Sequence, residues 1–453
     1  MSELPVEYLN QMRNLLGQAG FLSYIEEMKK PYWRGIRFNL LKCMEDQNPS
    51  QMADGVGDPV PWAKKSYYLS NDSLAGTSIL HEVGAFYIQE PSAMSVVTVL
   101  DPKPGERILD LCAAPGGKST QAAGLMEGKG LIVCNEPVYS RAQILSRNIE
   151  RMGISNSLVI SYKPEQLVKY FSNFFDKIIV DAPCSGEGMF RRHPESILEW
   201  KETSPAMCAN RQKDILHSAS QMVSRGGVIV YSTCTFNETE NEGVISWFLE
   251  NHPEFDVVPF VLEGAGHAEK GYLHLYPHEI RGEGHFICRL IRKGIADSLS
   301  YCRSEIKRKE KVQIPDLSAM FTKIDEDKLL IEQDKILLVN EELRTSRINP
   351  LRYLRKGLHI AHVKGKVYEP DHAAALAMKE MEIRNVVDLS QSQARQYISG
   401  EQVFCDSRIK GWTALRYGHL LIGWGKVSEG IVKNHYPKGL RKRTEEQNKK
   451  TLE

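Results

Sequence analysis

A chain of 453 residues is long enough for two or more domains and for at least one substantial hydrophobic core. The 42% hydrophobic and 25% charged residues are ordinary for a globular protein, and 58 basic against 57 acidic residues leave a net charge of only +1. With so small a net charge, the chain as a whole produces no electrostatic field that attracts an anionic partner. Any surface for nucleic acid therefore has to be local.

Nine cysteines are present, and no two of them are spaced as CxxC. This pattern disfavours zinc knuckles and thioredoxin-like redox pairs, and a secreted disulfide framework even more. The first ten residues, MSELPVEYLN, contain no apolar signal core, and no stretch approaches the roughly 18 apolar residues of a membrane span. We expect a reduced, soluble, cytoplasmic protein that holds no metal.

Residues 1–95 are predicted to form a small N-terminal α/β domain. Helical patterns cover residues 7–16 and 21–28, and the basic run WRGIRFNLLK at 33–42 has the character of a strand. From residue 107 onward the pattern changes to short apolar strands that alternate with helices. This change predicts a second domain, which we place at 96–293.

The second domain is predicted to be a parallel sheet with helices on both faces, because continuous apolar strands alternate with helical segments. The strand-like runs are ERILDL (106–111), GLIVCNE (130–136), NSLVIS (156–161), FDKIIVDA (175–182) and GGVIVYST (226–233). The helical patterns cover 119–126, 139–152 and 207–223, and the run at 282–292 is predicted to be the closing strand. A charged stretch, RSEIKRKEK at 303–311, indicates a solvated linker at 294–314, followed by further short strands and helices at 315–453.

A glycine-containing loop follows the first strand of this sheet. The strand ends in Asp110-Leu-Cys112 and leads into Ala113-Ala114-Pro115-Gly116-Gly117-Lys118 before a helix begins. Pro115 fixes the turn, and the two glycines let backbone N–H groups approach a ligand, which predicts a cofactor cradle. Neither GxGxxG nor GxxxxGK[ST] is present, so an ordinary βα turn is the alternative for an isolated Gly-Gly.

The second strand ends at Glu136, where doubly wound folds hold a ribose diol, because a carboxylate can accept from both hydroxyls. Taken alone, Glu136 is better interpreted as a solvent-facing loop acid. Together with the loop at 112–118 it predicts an adenosyl cofactor, whose identity the spacing does not specify.

Two cysteines follow the fourth and fifth strands: Cys184 in DAPCSGEG (181–188) and Cys234 in STCT (232–235). Because the carboxyl ends of parallel strands meet at one edge, we expect both thiols to face one crevice. A buried core position is the usual interpretation of a cysteine flanked by apolar residues, but it explains this pair poorly. It is kept for Cys112, Cys134, Cys208 and Cys288.

Three segments of the chain resemble the Sun (Fmu) family of RNA 5-methylcytosine methyltransferases: DLCAAPGGKST (110–120), DAPCSGEGMFRRHPE (181–195) and YSTCTFNETENE (231–242). YIQEPSAM (87–94) and PHEIRGEGHF (277–286) support the resemblance, which covers roughly residues 30–293. Within that family the chain resembles the RsmF (YebU) subgroup, which acts on small-subunit ribosomal RNA.

The resemblance implies a Rossmann-like class I methyltransferase domain, a C-terminal PUA-like RNA-binding region, and S-adenosylmethionine as the cofactor. It makes Cys234 the nucleophile that adds to carbon 6 of cytosine, and Cys184 the residue that assists release of the product. Asp181 is also a candidate for contact with the cytosine. The positions that match the cofactor contacts are Cys112, Ala113, Ala114, Pro115, Gly116, Gly117, Lys118, Glu136 and Asp181.

The chain departs from the family after the third strand, where many members carry an acid that holds the adenine amino group. Here the segment is Ser161-Tyr-Lys-Pro-Glu165, with Lys163 near that position. Backbone groups, Glu165 and apolar contacts remain alternatives for holding the adenine.

The tail from Ser407 to Arg443 is the main candidate for a local RNA surface. It holds nine Lys or Arg residues against one acid, Glu429, with Trp412, Tyr417, Trp424 and Tyr436 among them. Such a stretch suits phosphate contacts and base stacking, and the alternative is a small β domain with aromatics in its core, which fits Trp424 in particular. A second basic edge could be formed by Trp33, Arg34, Arg37 and Lys42, although Arg37 could equally hold the N-terminal domain onto the second one. The run Arg191-Arg192-His193 could steer a phosphate or form the entry to a helix.

The sequence is compatible to different degrees with three rival functions. A methyltransferase for tRNA would share the catalytic motifs, and only the appended domains favour ribosomal RNA. A non-catalytic RNA-binding assembly factor would be expected to lose the cysteines or the glycine loop, and both are intact. A DNA cytosine methyltransferase would take its nucleophile from the Pro-Cys motif, which would leave Cys234 without a role.

Overall fold

The computed structural model describes residues 4–43, 46–295, 316–365, 367–405 and 408–442. The charged stretch at 303–311, nearly all of the predicted linker, and Ser407 and Arg443 at the ends of the basic tail lie outside these residues. Within the described ranges, no helix combines the length and the apolar character that crossing a membrane requires.

The N-terminal domain consists of an interrupted helix and a four-stranded antiparallel sheet. Helix α1 spans Val6–Met28 and is interrupted at Gly17, where a φ of 65° and a ψ of 175° depart from helical values. The other elements are β1 Arg34–Phe38, α2 Pro49–Met52, β2 Val56–Pro59, β3 Ser66–Leu69, α3 Ile79–Glu82 and β4 Phe86–Gln89. The strands lie in the order β2-β3-β1-β4.

The sheet of the second domain contains the five strands predicted from the apolar runs: β5 Arg107–Asp110, β6 Leu131–Asn135, β7 Ser157–Ile160, β8 Phe175–Asp181 and β9 Val223–Thr233. They pair in parallel in the order β9-β8-β5-β6-β7. Helices α4 Ser95–Leu100, α5 Gly117–Leu125, α6 Tyr139–Arg151, α7 Pro164–Phe171, α8 Glu195–Glu199, α9 Ser204–Met222 and α10 Glu242–Asn251 accompany them. The predicted Rossmann-like fold is confirmed.

Successive side chains of these strands enter two separate cores, because neighbouring residues of a strand point to opposite faces. Leu109 and Val133 lie in one core, and Ile108 and Ile132 lie in the other. The segment after α10 forms β10 Phe255–Val257, β11 Phe260–Leu262, β12 Gly266–Ala268, β13 Tyr272–Leu275 and β14 His285–Arg292. Strand β14 pairs antiparallel with β9 and is the predicted closing strand.

The C-terminal region forms two further sheets. Its elements are β15 Leu329–Glu332, β16 Lys335–Leu338, β17 Arg355–Lys356, β18 Leu358–Lys364, β19 Val367–Pro370, α11 His372–Ala377, β20 Val386–Asp388, α12 Gln391–Ser399, β21 Val403–Phe404, β22 Gly411–Tyr417, β23 Leu420–Ser428 and β24 Ile431–Asn434. The sheets have the orders β15-β16-β18-β19 and β20-β22-β23-β24-β21. Strand β17 instead pairs with β7, so the C-terminal region adds an edge strand to the sheet of the second domain.

Two of the four aromatic residues of the basic tail belong to the core of the last sheet. Trp424 is 1% exposed, as its sequence context suggested, and Tyr436 is 3% exposed. Tyr436 is therefore not available for base stacking, which corrects the sequence-based grouping. Trp412 and Tyr417 are partly exposed.

The basic residues of segment 33–42 are hydrogen-bonded to other parts of the fold. The guanidinium of Arg37, which is 3% exposed, donates to the carbonyl of Gly117 at 3.1 Å and to Oγ1 of Thr120 at 2.7 Å. Lys42 donates to two backbone carbonyls, and Arg34 donates to three. Arg37 therefore has its alternative role, because it joins the N-terminal domain to the second domain.

Arg191 also joins parts of the fold and is not placed to steer a phosphate. Its buried guanidinium pairs with Glu283 at 2.7 Å and with Glu27 of α1 at 3.2 Å. The loop before β14 is thereby tied to the N-terminal helix. His193, in contrast, is exposed.

Candidate active site

A cavity of about 670 Å³ opens at the carboxyl edge of the parallel sheet, between the ends of β5, β6, β8 and β9 and helix α9. Its volume falls within the range of about 300–1,000 Å³ that is usual for small-molecule sites. It is lined by Cys112, Ala114, Glu136, Pro137, Val138, Arg141, Lys163, Pro164, Glu165, Asp181, Ala182, Pro183, Cys184, Arg211, Asp214, Ile215 and Cys234. The two cysteines, Asp181 and Glu136 thus meet in one cavity, although they come from the ends of three different strands.

The loop after β5 contributes Cys112 and Ala114 to the cavity wall, whereas Ala113, Pro115, Gly116 and Gly117 form the turn next to them. The N–H of Ala113 donates to the carbonyl of Asn135 at 2.8 Å, which ties the loop to β6. Gly116 has a φ of 112°, a value that strongly favours glycine, immediately before α5 begins.

The side chain of Asp110 is hydrogen-bonded to helix α5, which follows this loop. Its carboxylate accepts from the Ser119 hydroxyl at 2.6 Å. Burial raises the pKa of Asp110 to about 7, although the Ser119 hydrogen bond acts in the opposite direction. Asp110 itself does not line the cavity.

Glu136 lies on the cavity wall and is only 2% exposed, so it is not a solvated loop acid. Its Oε1 accepts from the backbone N–H of Val138 at 3.0 Å, and its Oε2 lies 3.4 Å from the guanidinium of Arg141. A carboxylate has about four lone-pair sites, so acceptor capacity remains for a ligand.

The segment after β7 also reaches the cavity. Lys163, Pro164 and Glu165 line it beside Pro137 and Val138. This part of the wall is mainly apolar, with one lysine and one acid at its border. The segment that departs from the family pattern therefore does face the cavity.

Asp181 is held as a carboxylate by its neighbours. Its Oδ2 lies 2.7 Å from Nζ of Lys118, its Oδ1 accepts from the Ser232 hydroxyl at 2.8 Å, and Nε2 of His285 lies 3.4 Å away. Burial alone would raise the pKa of Asp181, but Lys118 and His285 outweigh it and keep that pKa well below its ordinary range. His285 and Ser232 were not among the residues singled out from the sequence.

The two cysteines are in direct contact. Their Sγ atoms are 3.1 Å apart, and the backbone N–H of Cys234 donates to Sγ of Cys184 at 3.4 Å. The hydrogen bond with Cys234, together with burial, raises the pKa of Cys184 well above its ordinary value. Cys184 is thus a thiol that can donate to the sulfur of Cys234. In the part of the chain that the structure describes, no cluster of three or more His, Cys, Asp or Glu side chains could hold a metal ion.

Family models match three segments of the chain. One described as 16S rRNA methyltransferase RsmB/F matches residues 97–291, one described as the N-terminal domain of 16S rRNA methyltransferase RsmF matches residues 4–91, and one described as the methyltransferase RsmF PUA domain matches residues 384–442. Together they cover the N-terminal domain, the parallel sheet and the last sheet.

Curated relatives match over nearly the whole chain. The chain is 31% identical to ribosomal RNA small subunit methyltransferase F of Escherichia coli (strain SE11), over 96% of each protein. It is also 31% identical to the protein of that name from Aliivibrio fischeri, over 96% of this chain and 97% of the relative.

Two solved structures match a little under two thirds of the chain. A methyltransferase homolog protein from Pyrococcus horikoshii is 30% identical, with a TM-score of 0.55 over 63% of this chain and 94% of that one. NSun6 from Pyrococcus horikoshii with SFG is 21% identical, with a TM-score of 0.56 over 64% of this chain and 99% of that one, and this second likeness concerns the fold alone.

Proposed function

This chain belongs to the RsmB/F family of 16S rRNA methyltransferases, and we propose that it transfers the methyl group of S-adenosylmethionine to carbon 5 of a cytosine in 16S ribosomal RNA. The observation that carries this proposal is the contact between Cys184 and Cys234 inside the cavity that the cofactor loop borders. A methyltransferase that did not form a covalent adduct with its base would have no use for two touching thiols there.

The cavity wall fits S-adenosylmethionine, which would supply an electrophilic methyl group. The carboxylate of Glu136 has free acceptor capacity for the two ribose hydroxyls, and the loop at 112–118 borders the same space. Val138 and Pro164 offer an apolar slot for the adenine, with Glu165 at its border. These assignments are proposals, supported by the position of each residue on the wall.

Cys234 is the proposed nucleophile. Its thiolate forms a bond to carbon 6 of the cytosine, and the displaced electron pair makes carbon 5 nucleophilic toward the methyl group. After transfer, the hydrogen on carbon 5 leaves as a proton, and the electrons of that bond reform the ring double bond as the carbon–sulfur bond breaks. A water molecule beside the adduct can take the proton.

Cys184 is the proposed assistant for release. Because it is held as a thiol in contact with the Cys234 sulfur, it can donate a hydrogen bond to that sulfur as it leaves carbon 6. A thiolate that is stabilised in this way is a better leaving group. Without the donor, the covalent adduct should persist.

Asp181 is the proposed contact to the base. Since Lys118 and His285 keep it ionised, it acts as a hydrogen-bond acceptor and not as an acid. The exocyclic amino group of cytosine is a donor. An acceptor at this point favours cytosine over uracil, which carries an oxygen in place of that amino group.

The C-terminal sheet is the proposed additional RNA contact, through only part of the basic tail. Arg416 pairs with Asp388 and Glu380, and Lys442 pairs with Glu82, so these charges are already matched. The other exposed cations of the described tail are Arg408, Lys410, Lys426, Lys433 and Lys438.

Three of the tail residues form one row across neighbouring strands. Trp412 of β22 is opposite Lys426 of β23, which is opposite Lys433 of β24. The ammonium of Lys426 lies 5.8 Å from the Trp412 ring, and His435 flanks the same ring. This row combines two cations with a partly exposed indole, which suits a phosphate backbone and one unpaired base.

The proposal is tested by bisulfite mapping of 16S ribosomal RNA from cells with and without the protein, followed by methylation of the same RNA with purified enzyme. We expect one or a few cytosines to lose protection in the deletion strain and to regain it in vitro. Loss of methylation from tRNA instead would favour the tRNA alternative. We expect the protein to act in the cytoplasm, where its RNA substrate is found.

A further inference from the structure

Two buried carboxylates link the loops that carry the two cysteines. Glu187 lies in the loop after Cys184, and its Oε2 accepts from the backbone N–H groups of Phe236, at 2.9 Å, and Asn237, at 3.2 Å, which follow Cys234. Its Oε1 accepts from Nδ2 of Asn237 at 3.1 Å. The first cysteine loop is thus hydrogen-bonded to the backbone of the second.

Glu240 makes the reverse contact, from the loop after Cys234. Its Oε2 accepts from the backbone N–H of Ser185 at 3.0 Å and from Nε2 of Gln212 at 2.7 Å. Its Oε1 accepts from Nδ2 of Asn237 at 2.7 Å and from the Ser185 hydroxyl. Since Gln212 belongs to α9, both loops are also fixed to a long helix.

All four groups around the Glu240 carboxylate are placed as donors. A carboxylate accepts at both oxygens, whereas the amide of glutamine presents an NH₂ group at one of its two ends. An amide in this position would point its donors at other donors, inside a site with no exposure to water. The arrangement therefore requires a carboxylate and not merely a polar side chain.

We propose that Glu240 is a positioning residue for the methyl-transfer reaction, which holds the thiol of Cys184 against the sulfur of Cys234. The proposal rests on the function proposed above, because it assigns Glu240 a role through those two cysteines. The 3.1 Å contact between the sulfurs joins residues 50 positions apart in the chain, and Glu240 is hydrogen-bonded to the residue that follows Cys184.

The charge of Glu240 acts in the same direction as its geometry. After the hydrogen bond with Cys234 and burial, the charges of Cys234 and Glu240 are the next causes that raise the pKa of Cys184. A negative carboxylate nearby opposes a second negative charge on Cys184. The charge of Glu240 thereby adds to the hydrogen bond and the burial, which already favour the protonated form of Cys184.

The test combines methyl transfer with thiol reactivity in the free enzyme. For Glu240→Gln we expect the single-turnover rate at which methylated RNA is released from the Cys234 adduct to fall by roughly 10- to 100-fold, the cost of a misplaced reacting group, with unchanged affinity for S-adenosylmethionine. Iodoacetamide labelling, followed by peptide mass spectrometry, should show Cys184 alkylated several-fold faster than in the wild type. Glu240→Asp, which keeps the charge but shortens the reach, should lose activity with less gain in Cys184 labelling.

Glu238→Gln is the matched control, because Glu238 is an exposed acid of the same loop, and both readouts should stay at wild-type values. If Glu240→Gln does not fold, Ser185→Ala removes one hydroxyl donor to Glu240 and should give a smaller loss of rate at full cofactor affinity. Wild-type rates in a folded Glu240→Gln enzyme, or lost activity with unchanged labelling of both cysteines, would overturn the proposal. Labelling needs neither RNA nor cofactor, so it remains informative even if the RNA substrate is assigned wrongly.

Discussion

The ammonium of Lys118 lies 2.7 Å from Oδ2 of Asp181, so one ion pair joins the glycine-containing loop to the proposed base contact. Burial raises the pKa of Asp181 on its own, and the ammonium is the largest opposing cause. Lys118, together with His285, therefore holds the pKa of Asp181 well below its ordinary range. The family motif at 112–118 thus has a second role beyond shaping the turn.

Lys118→Met should shift the acidic limb of the pH profile. Without the ammonium, burial is less opposed, so the pKa of Asp181 rises toward the working range. Since the carboxylate is the active form, activity in the variant should be lost at a higher pH as the solution is acidified. The measurement is kcat/KM for methyl transfer between about pH 5 and 8.

The control for this prediction is Lys163→Met, which removes a lysine that lines the same cavity but is not paired with Asp181. Its acidic limb should coincide with that of the wild type. Coincident limbs for Lys118→Met and wild type would mean that Asp181 does not depend on Lys118 for its charge.

Glu136→Gln should weaken binding of S-adenosylmethionine by about ten-fold, or 1.4 kcal/mol. The amide oxygen can keep the bond from the Val138 N–H, which leaves an NH₂ group where a ribose hydroxyl would donate. Calorimetric titration measures the change. Glu165→Gln, at the border of the adenine slot, should have a smaller effect, and an unchanged affinity in folded Glu136→Gln would remove the ribose role.

The double change Lys426→Gln and Lys433→Gln should reduce RNA affinity and its dependence on salt. Each lost phosphate contact lowers the slope of log K against log salt by about 0.7 to 0.9. Filter-binding titrations across a salt series give this slope. Arg416→Gln is the control, because Arg416 already pairs with Asp388 and Glu380. If the control lost as much slope, the row on β22 to β24 would not be a specific RNA contact.

Much of the fold could be predicted from the sequence because its signals are local. The five apolar runs, the glycine loop and the cysteines at strand ends each depend on a few adjacent residues, and the parallel sheet follows from their alternation. The shared cavity follows in turn, because the carboxyl ends of parallel strands meet at one edge.

What the sequence did not predict depends on contacts between distant segments. The hydrogen-bond partners of Glu187 and Glu240 include backbone groups of the other cysteine loop. The residues next to each glutamate in the sequence do not distinguish it from an exposed acid such as Glu238. The direction of the Arg37 side chain and the pairing of β17 with β7 are likewise set by packing between domains. The only advance signal for the two glutamates was their place inside the motifs that carry the cysteines.

The most direct test of the account is which cysteine variant retains a covalent protein–RNA adduct. With RNA and S-adenosylmethionine present, Cys184→Ala should accumulate an adduct that survives a denaturing gel, and peptide mapping should place it on Cys234. Cys234→Ala should form no adduct and no 5-methylcytosine, while binding the cofactor normally. An adduct in Cys234→Ala, mapped to Cys184, would contradict the assignment of the two thiols.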